Sequence, residues 1–128
     1  MIEYIKTDKA PEALGHYSQG TVANDTIYTA TQLPINPNAL NEKKGSVQDQ
    51  ATQVLKNVIE VVKAGGGSKD SITKIMIYIS DTKHWNDVNI SYEKIMVNHK
   101  PARGVLEIKN IRKGYDVSMD AIAIVDKA

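Results

Sequence analysis

The sequence predicts an α/β (α+β) domain in which two helices pack on one face of a mixed β-sheet. Three observations carry this. Two segments, 47–62 and 85–96, place apolar residues at a 3.6-residue period, while the segments around them are short, β-rich and bounded by Gly, Pro, Asn or Asp. The resulting order is β-β-β-α-β-α-β-β, so each helix joins two strands and gives a βαβ-like crossover. The length, 128 residues, suits one domain over 1–128 with its own core, built without phenylalanine from Ile, Val, Leu, Ala, Met and a few tyrosines.

Residues 2–6 read as a short edge strand and Asp8 to Gly15 as a loop punctuated by Pro11. Residues 17–23 and 26–33 read as strands around a tight hairpin turn at Asn24-Asp25, two residues that tolerate positive φ. Residues 34–46 form an exposed loop. Ser46 then caps a helix in a capping-box-like Ser46-Val47-Gln48-Asp49, with Val47, Ala51, Val54, Leu55, Val58, Ile59 and Val62 on one face. Gly65-Gly66-Gly67 stops it. A phosphate cradle is excluded there, because a helix C-terminus disfavours anions and no GK[ST] follows. Residues 71–80 read as a strand with Thr73, Ile75, Ile77 and Ile79 on one face and Ile72, Met76 and Tyr78 on the other. Asp81 or Thr82 caps a second helix with the stripe Trp85, Val88, Tyr92, Ile95 and Met96, and Pro101 bars its continuation. Residues 102–108 and 115–125 complete the sheet. Two helices cover only one of its faces, so a homo-oligomer burying sheet against sheet is expected.

Composition excludes several function classes. With 16 basic and 15 acidic residues the chain has no bulk pull toward nucleic acid or membranes. No run approaches a membrane span, and residues 1–15 lack a signal-like apolar region. The absence of cysteine removes disulfides, thiol nucleophiles and thiolate metal sites, and fits a reducing cytoplasm. His84 and His99 make no local metal motif, so no metal site is expected. Trp85 reads as core or interface, and Lys43, Lys44, Lys109, Arg112 and Lys113 as solvated charges.

The most informative stretch is Lys100-Pro101-Ala102-Arg103. Proline fixes its own φ and extends the residue before it, giving Arg103 a defined launch point at a strand start. A guanidinium there offers a planar fork that matches a carboxylate. Together with Ala10-Pro11 through Gly15-His16-Tyr17-Ser18-Gln19-Gly20, Thr29-Ala30-Thr31-Gln32-Leu33-Pro34, Asn57 with Ala64-Gly65-Gly66, and Asp120-Ala121-Ile122-Ala123, it resembles the reactive intermediate deaminase (Rid, YjgF/UK114) family over essentially the whole chain. The resemblance implies a chorismate-mutase-like fold and a homotrimer whose sheets form a central barrel-like core, with clefts between subunits. It also implies hydrolysis of enamine or imine intermediates, 2-iminobutanoate and 2-iminopropanoate, to 2-keto acids and ammonia, without a cofactor.

Carried over by position, Arg103 clamps the substrate carboxylate, Tyr17 lines the cleft, and Ser118 stands where the family has its catalytic glutamate. Thr31, Gly104, Val105 and Asn89 complete the expected substrate-binding set. Ser118 can orient a water but is a poor base near neutral pH, and Asp120, about 6–7 Å further along the strand, does not replace the glutamate directly. Val105 stands where cysteine is frequent, Gly104 where a small hydroxyl residue is usual, and Thr31 where glycine is common, so Thr31 narrows the pocket or adds a hydroxyl. His16 replaces a common proline; it reads as a solvent-exposed loop histidine ahead of a substitute acid/base. The leading expectation is thus an imine deaminase. The alternative is a non-catalytic member that binds a small 2-keto acid. A third reading, an endoribonuclease or translation inhibitor, lacks a supporting basic surface.

Overall fold

In the computed structural model, which describes residues 1–126, the elements follow the expected order. They are β1 (Glu3–Ile5), β2 (Gly20–Ala23), β3 (Thr26–Thr29), α1 (Val47–Ala64), β4 (Ile72–Ile79), α2 (Trp85–Met96), β5 (Ala102–Glu107) and β6 (Val117–Ile124). The last two positions of the chain, 127 and 128, lie outside the described residues.

The strands form one sheet in the order β1-β2-β3-β6-β4-β5. β6 pairs antiparallel with both β3 and β4, so those two run parallel, and α1 joins them by crossing over β6. β4 and β5 pair parallel and are joined by α2. The last strand in sequence therefore occupies the centre, and its residues Val117, Ser118 and Met119 are all buried. Both helices lie on one face, over Ile27, Ile75, Ile77, Ile79, Met119 and Ala121, with Val54, Leu55, Val58 and Val62 completing the core.

Local chemistry sets the boundaries. Asn24 and Asp25 both take positive φ, as the hairpin requires. The Ser46 hydroxyl accepts from the Asp49 N–H at 3.1 Å, and α1 ends in a Schellman arrangement. There the Gly67 N–H reaches Val62 O and the Gly66 N–H reaches Lys63 O, with Gly66 at φ 99°.

Four expectations are corrected. The strand expected over 17–23 begins only at Gly20, because Gln19 bonds to the preceding loop. The strand over 26–33 stops at Thr29 and resumes as a single bridge between Gln32 and Met119. A bulge between Ile72 and Lys74 puts Thr73 in solvent and turns Ile72 into the core with Ile75, reversing the faces assigned to those two residues. Lys44 is more than a solvated charge: its ammonium donates to Gly114 O at 3.1 Å and lies 3.4 Å from Asp116.

No helix of α1 or α2 covers the opposite sheet face. Tyr28, Leu106 and Ile124 on that face are 45, 51 and 51 % exposed. No helix among the described residues is long and apolar enough to cross a membrane.

Candidate functional site

Tyr17, Thr31 and Ser118 converge. They line a cavity of about 380 Å³ whose walls also include Gln19, Arg112 and Lys113. Tyr17 reaches it from the loop before β2 and is half-exposed. That loop is tied down by Gln19, whose side-chain N–H groups donate to the carbonyls of Thr7, Ala10 and Pro11 while its Oε1 accepts from the Thr7 N–H. A buried amide so fully used is expensive to lose, which makes Gln19 a structural support of the site. Sequence reasoning quoted it within a motif and gave it no role.

The other wall is fixed by Asn57 of α1. Its amide donates to Leu33 O at 3.0 Å and Ile35 O at 2.8 Å, and its oxygen accepts from Gln53 at 2.9 Å. Leu33 and Ile35 both line the cavity. An asparagine on the buried face of a helix thus anchors the segment that carries Thr31.

Ser118 sits on the uncovered face of β6 and is 4 % exposed. Asp120 shares that face. Its carboxylate accepts the Thr31 hydroxyl at 2.8 Å, so this donor is engaged within the chain. Burial, and then the hydrogen bond and charge of Asp120, hold the Tyr78 phenol above its ordinary pKa, so it stays protonated.

Arg103 stands apart from this cavity. It lies on β5 opposite Ile75, on the helix side of the sheet, and meets α2. Its Nη1 donates to Asn89 Oδ1 at 2.7 Å. Its guanidinium carbon lies 4.9 Å from the Tyr92 ring centre and 5.5 Å from that of Trp85. Among the described residues no acidic side chain pairs with it. A cavity of about 230 Å³ opens beside it, lined also by Asn89, Tyr92, His99 and Lys100. Val105 flanks the same group in a small crevice with Trp85 and Asn89. Gly104 points to the uncovered face, where an added Cβ would meet Met76 at 2.9 Å.

Six of the seven expected site residues therefore form two groups in one chain, on opposite faces of the sheet: Tyr17, Thr31 and Ser118, and Arg103, Asn89 and Val105; Gly104 lines neither cavity. Trp85, read as core or interface, is 42 % exposed and is not a core residue. His16 is exposed and lines neither cavity. His84 faces Asp116 at 3.6 Å and His99 bonds to Ile72 O at 2.8 Å, both structural placements. Among the described residues no three His, Asp or Glu side chains cluster as a metal set would.

Known proteins share both sequence and fold with this chain. The model of the family described as endoribonuclease L-PSP matches residues 7–125. A human protein named 2-iminobutanoate/2-iminopropanoate deaminase is 33% identical over 120 residues, 94% of this chain and 88% of its own length. A RutC family protein of Pyrococcus horikoshii is 33% identical over 96% of this chain and 98% of its own. Among solved structures, the YjgF gene product of E. coli superposes with a TM-score of 0.91 at 34% identity, covering 95% of this chain and 98% of that one. E. coli TdcF with bound serine gives a TM-score of 0.91 at 31% identity, with 97% and 99% covered.

Proposed function

Because the chain belongs to the endoribonuclease L-PSP family, known also as YjgF or Rid, we propose that it is a hydrolytic deaminase of reactive enamine and imine intermediates. Its substrates are 2-iminobutanoate and 2-iminopropanoate, and it releases the 2-keto acid and ammonia. The observation that carries the reading is Arg103: an exposed guanidinium, oriented by Asn89 and two aromatic rings, with no carboxylate paired to it among the described residues. Such a group suits the carboxylate of a small 2-imino acid.

The reaction asks little more of the protein. A water oxygen adds to the imine carbon, both water protons end on nitrogen, and the carbinolamine collapses to a carbonyl as ammonia leaves. Fixing the carboxylate and a water lowers the barrier by positioning. Ser118 serves as a water-orienting hydroxyl and Tyr17 shapes the pocket.

One ligand can touch both groups of residues only if they come from different copies. The edge strand β5 with Arg103 and Val105, together with Asn89 of α2, would then face the cavity with Tyr17, Thr31 and Ser118 of a neighbour. A homotrimer, with the uncovered sheet faces turned inward, provides such clefts and hides Tyr28, Leu106 and Ile124 from water. In this reading the cytoplasm is the working compartment and no cofactor is used.

The test generates 2-iminobutanoate in situ with a threonine dehydratase and traps the remainder with semicarbazide, comparing wild type with Arg103→Ala. Faster loss of imine with wild type alone supports the deaminase. Equal loss with protein and buffer refutes it. The second reading, a non-catalytic 2-keto acid binder, is favoured by one observation, Ser118 in the place of a carboxylate. It predicts 2-oxobutanoate binding that needs Arg103 but no turnover.

A further inference from the structure

Trp85, Asn89 and Tyr92 lie at i, i+4 and i+7 on α2, one stripe of the helix. The periodicity makes that stripe look like core packing. The structure keeps Tyr92 in the core, 7 % exposed, and gives the stripe a second task, because all three residues meet Arg103. A long arginine on an edge strand samples many rotamers when free, and a bidentate contact forms only in some of them. Here two aromatic rings stand against the guanidinium and Asn89 takes one of its donors. Arginine can stack in this way, whereas a lysine ammonium is a point charge without a plane.

Resting on the reading of Arg103 as the carboxylate clamp, we infer that Trp85 and Tyr92 are positioning residues that fix the plane of its guanidinium and so preset the site for a planar carboxylate. Tyr92 does this with its ring alone, since its buried hydroxyl has no hydrogen-bond partner among the described residues. Trp85 does it from a partly exposed position, so its removal opens no core cavity. Asn89 sets the rotation about the remaining axis.

Trp85 is the only tryptophan of the chain, so its emission reports directly on the clamp. Titrating the full-length protein with 2-oxobutanoate should change Trp85 fluorescence in wild type and not in Arg103→Ala. Calorimetry with the same probe should show affinity falling about three- to tenfold in Trp85→Leu and in Tyr92→Leu. Trp85→Phe and Tyr92→Phe, which keep a ring, should bind close to wild type. Circular dichroism guards against misfolding, and Trp85→Leu alone decides the matter should Tyr92→Leu not fold. If Arg103→Ala abolishes binding while Trp85→Leu binds like wild type, the positioning inference fails and the clamp stands. If Arg103→Ala binds 2-oxobutanoate unchanged, the clamp itself is wrong and the inference falls with it.

Discussion

Replacing Asn57 by aspartate keeps the shape of the side chain and removes its donors, which makes it a severe test of how the cavity wall is held. In the native protein the Asn57 amide bridges Leu33 O and Ile35 O at 3.0 and 2.8 Å from a position 1 % exposed. After Asn57→Asp, two carbonyl oxygens would face a carboxylate. Leu33 O keeps a second donor, the Ile35 N–H at 2.8 Å, and Gln53 still donates to the new group. An uncompensated buried charge with one unpaired carbonyl should cost about 3–5 kcal/mol at neutral pH. The new carboxyl would have a folded-state pKa raised by burial and by its acceptor neighbours. Its penalty is therefore full above that pKa and fades as pH falls toward the unfolded value, so the variant should regain stability in mild acid. Asn57→Leu carries no charge, should cost about 1–3 kcal/mol, and should show no such recovery. Urea unfolding of wild type and both variants at fixed protein concentration, at neutral and mildly acidic pH, measures this. If both variants lie within about 1 kcal/mol of wild type, or Asn57→Asp shows no pH dependence beyond that of wild type, the bridge does not hold the segment.

Val97 has φ 54° and ψ −109° at the end of α2, where the His99 N–H bonds to Met96 O at 2.9 Å. This is the first central position of a type II′ turn, a place for glycine, so Val97→Gly should stabilise the protein by about 1 kcal/mol in the same assay; a loss would contradict the strain. Burial opposes ionisation of Asp116, but the Gln50 amide, the Lys44 ammonium and His84 outweigh it and hold its carboxyl below the ordinary 3.8. A depressed folded-state value contributes stability that is present above the unfolded value and lost as pH falls through the folded one. Asp116→Asn should therefore lower stability at neutral pH by about 1–3 kcal/mol and flatten the acid limb, read from thermal unfolding across a pH series. Under the proposed function, Ser118→Glu should raise the rate of 2-iminobutanoate hydrolysis by about 10²-fold, because a base then stands beside the water; an unchanged or lower rate argues that the cleft serves another ligand.

The architecture was legible because local signals and global order agree. The stripe of α1, its Ser46 cap, the glycine stop and the Asn24-Asp25 turn each specify one conformation, and the structure adopts all of them. The misreadings occurred where tertiary bonds outweigh local preference. Residues 17–19 have strand composition, yet Gln19 spends its side chain on the loop carbonyls and delays β2 to Gly20. The bulge at Thr73 is invisible to a period-2 pattern, since Ile72 is apolar enough for either face. Only pairing with β6 decides which way it turns.

For the site, sequence could name chemical groups but not which face of the sheet holds them. Arg103 and Ser118 belong to strands on either side of β4, and their parity places them on opposite faces. That separation follows from register, which a single sequence does not state. The aromatic contacts of Arg103 were hidden for a different reason. Trp85 and Tyr92 satisfy the helix period as core residues would, and Tyr92 is indeed buried in the core; only the approach of β5 shows that both rings also stand beside a cation. A helix stripe that runs beside an edge-strand arginine should accordingly be tested for cation contacts before it is assigned to the core. In this chain one exposed edge strand packed under an aromatic helix face creates the oriented guanidinium, and under the proposed function the same placement calls for a second copy to complete the site.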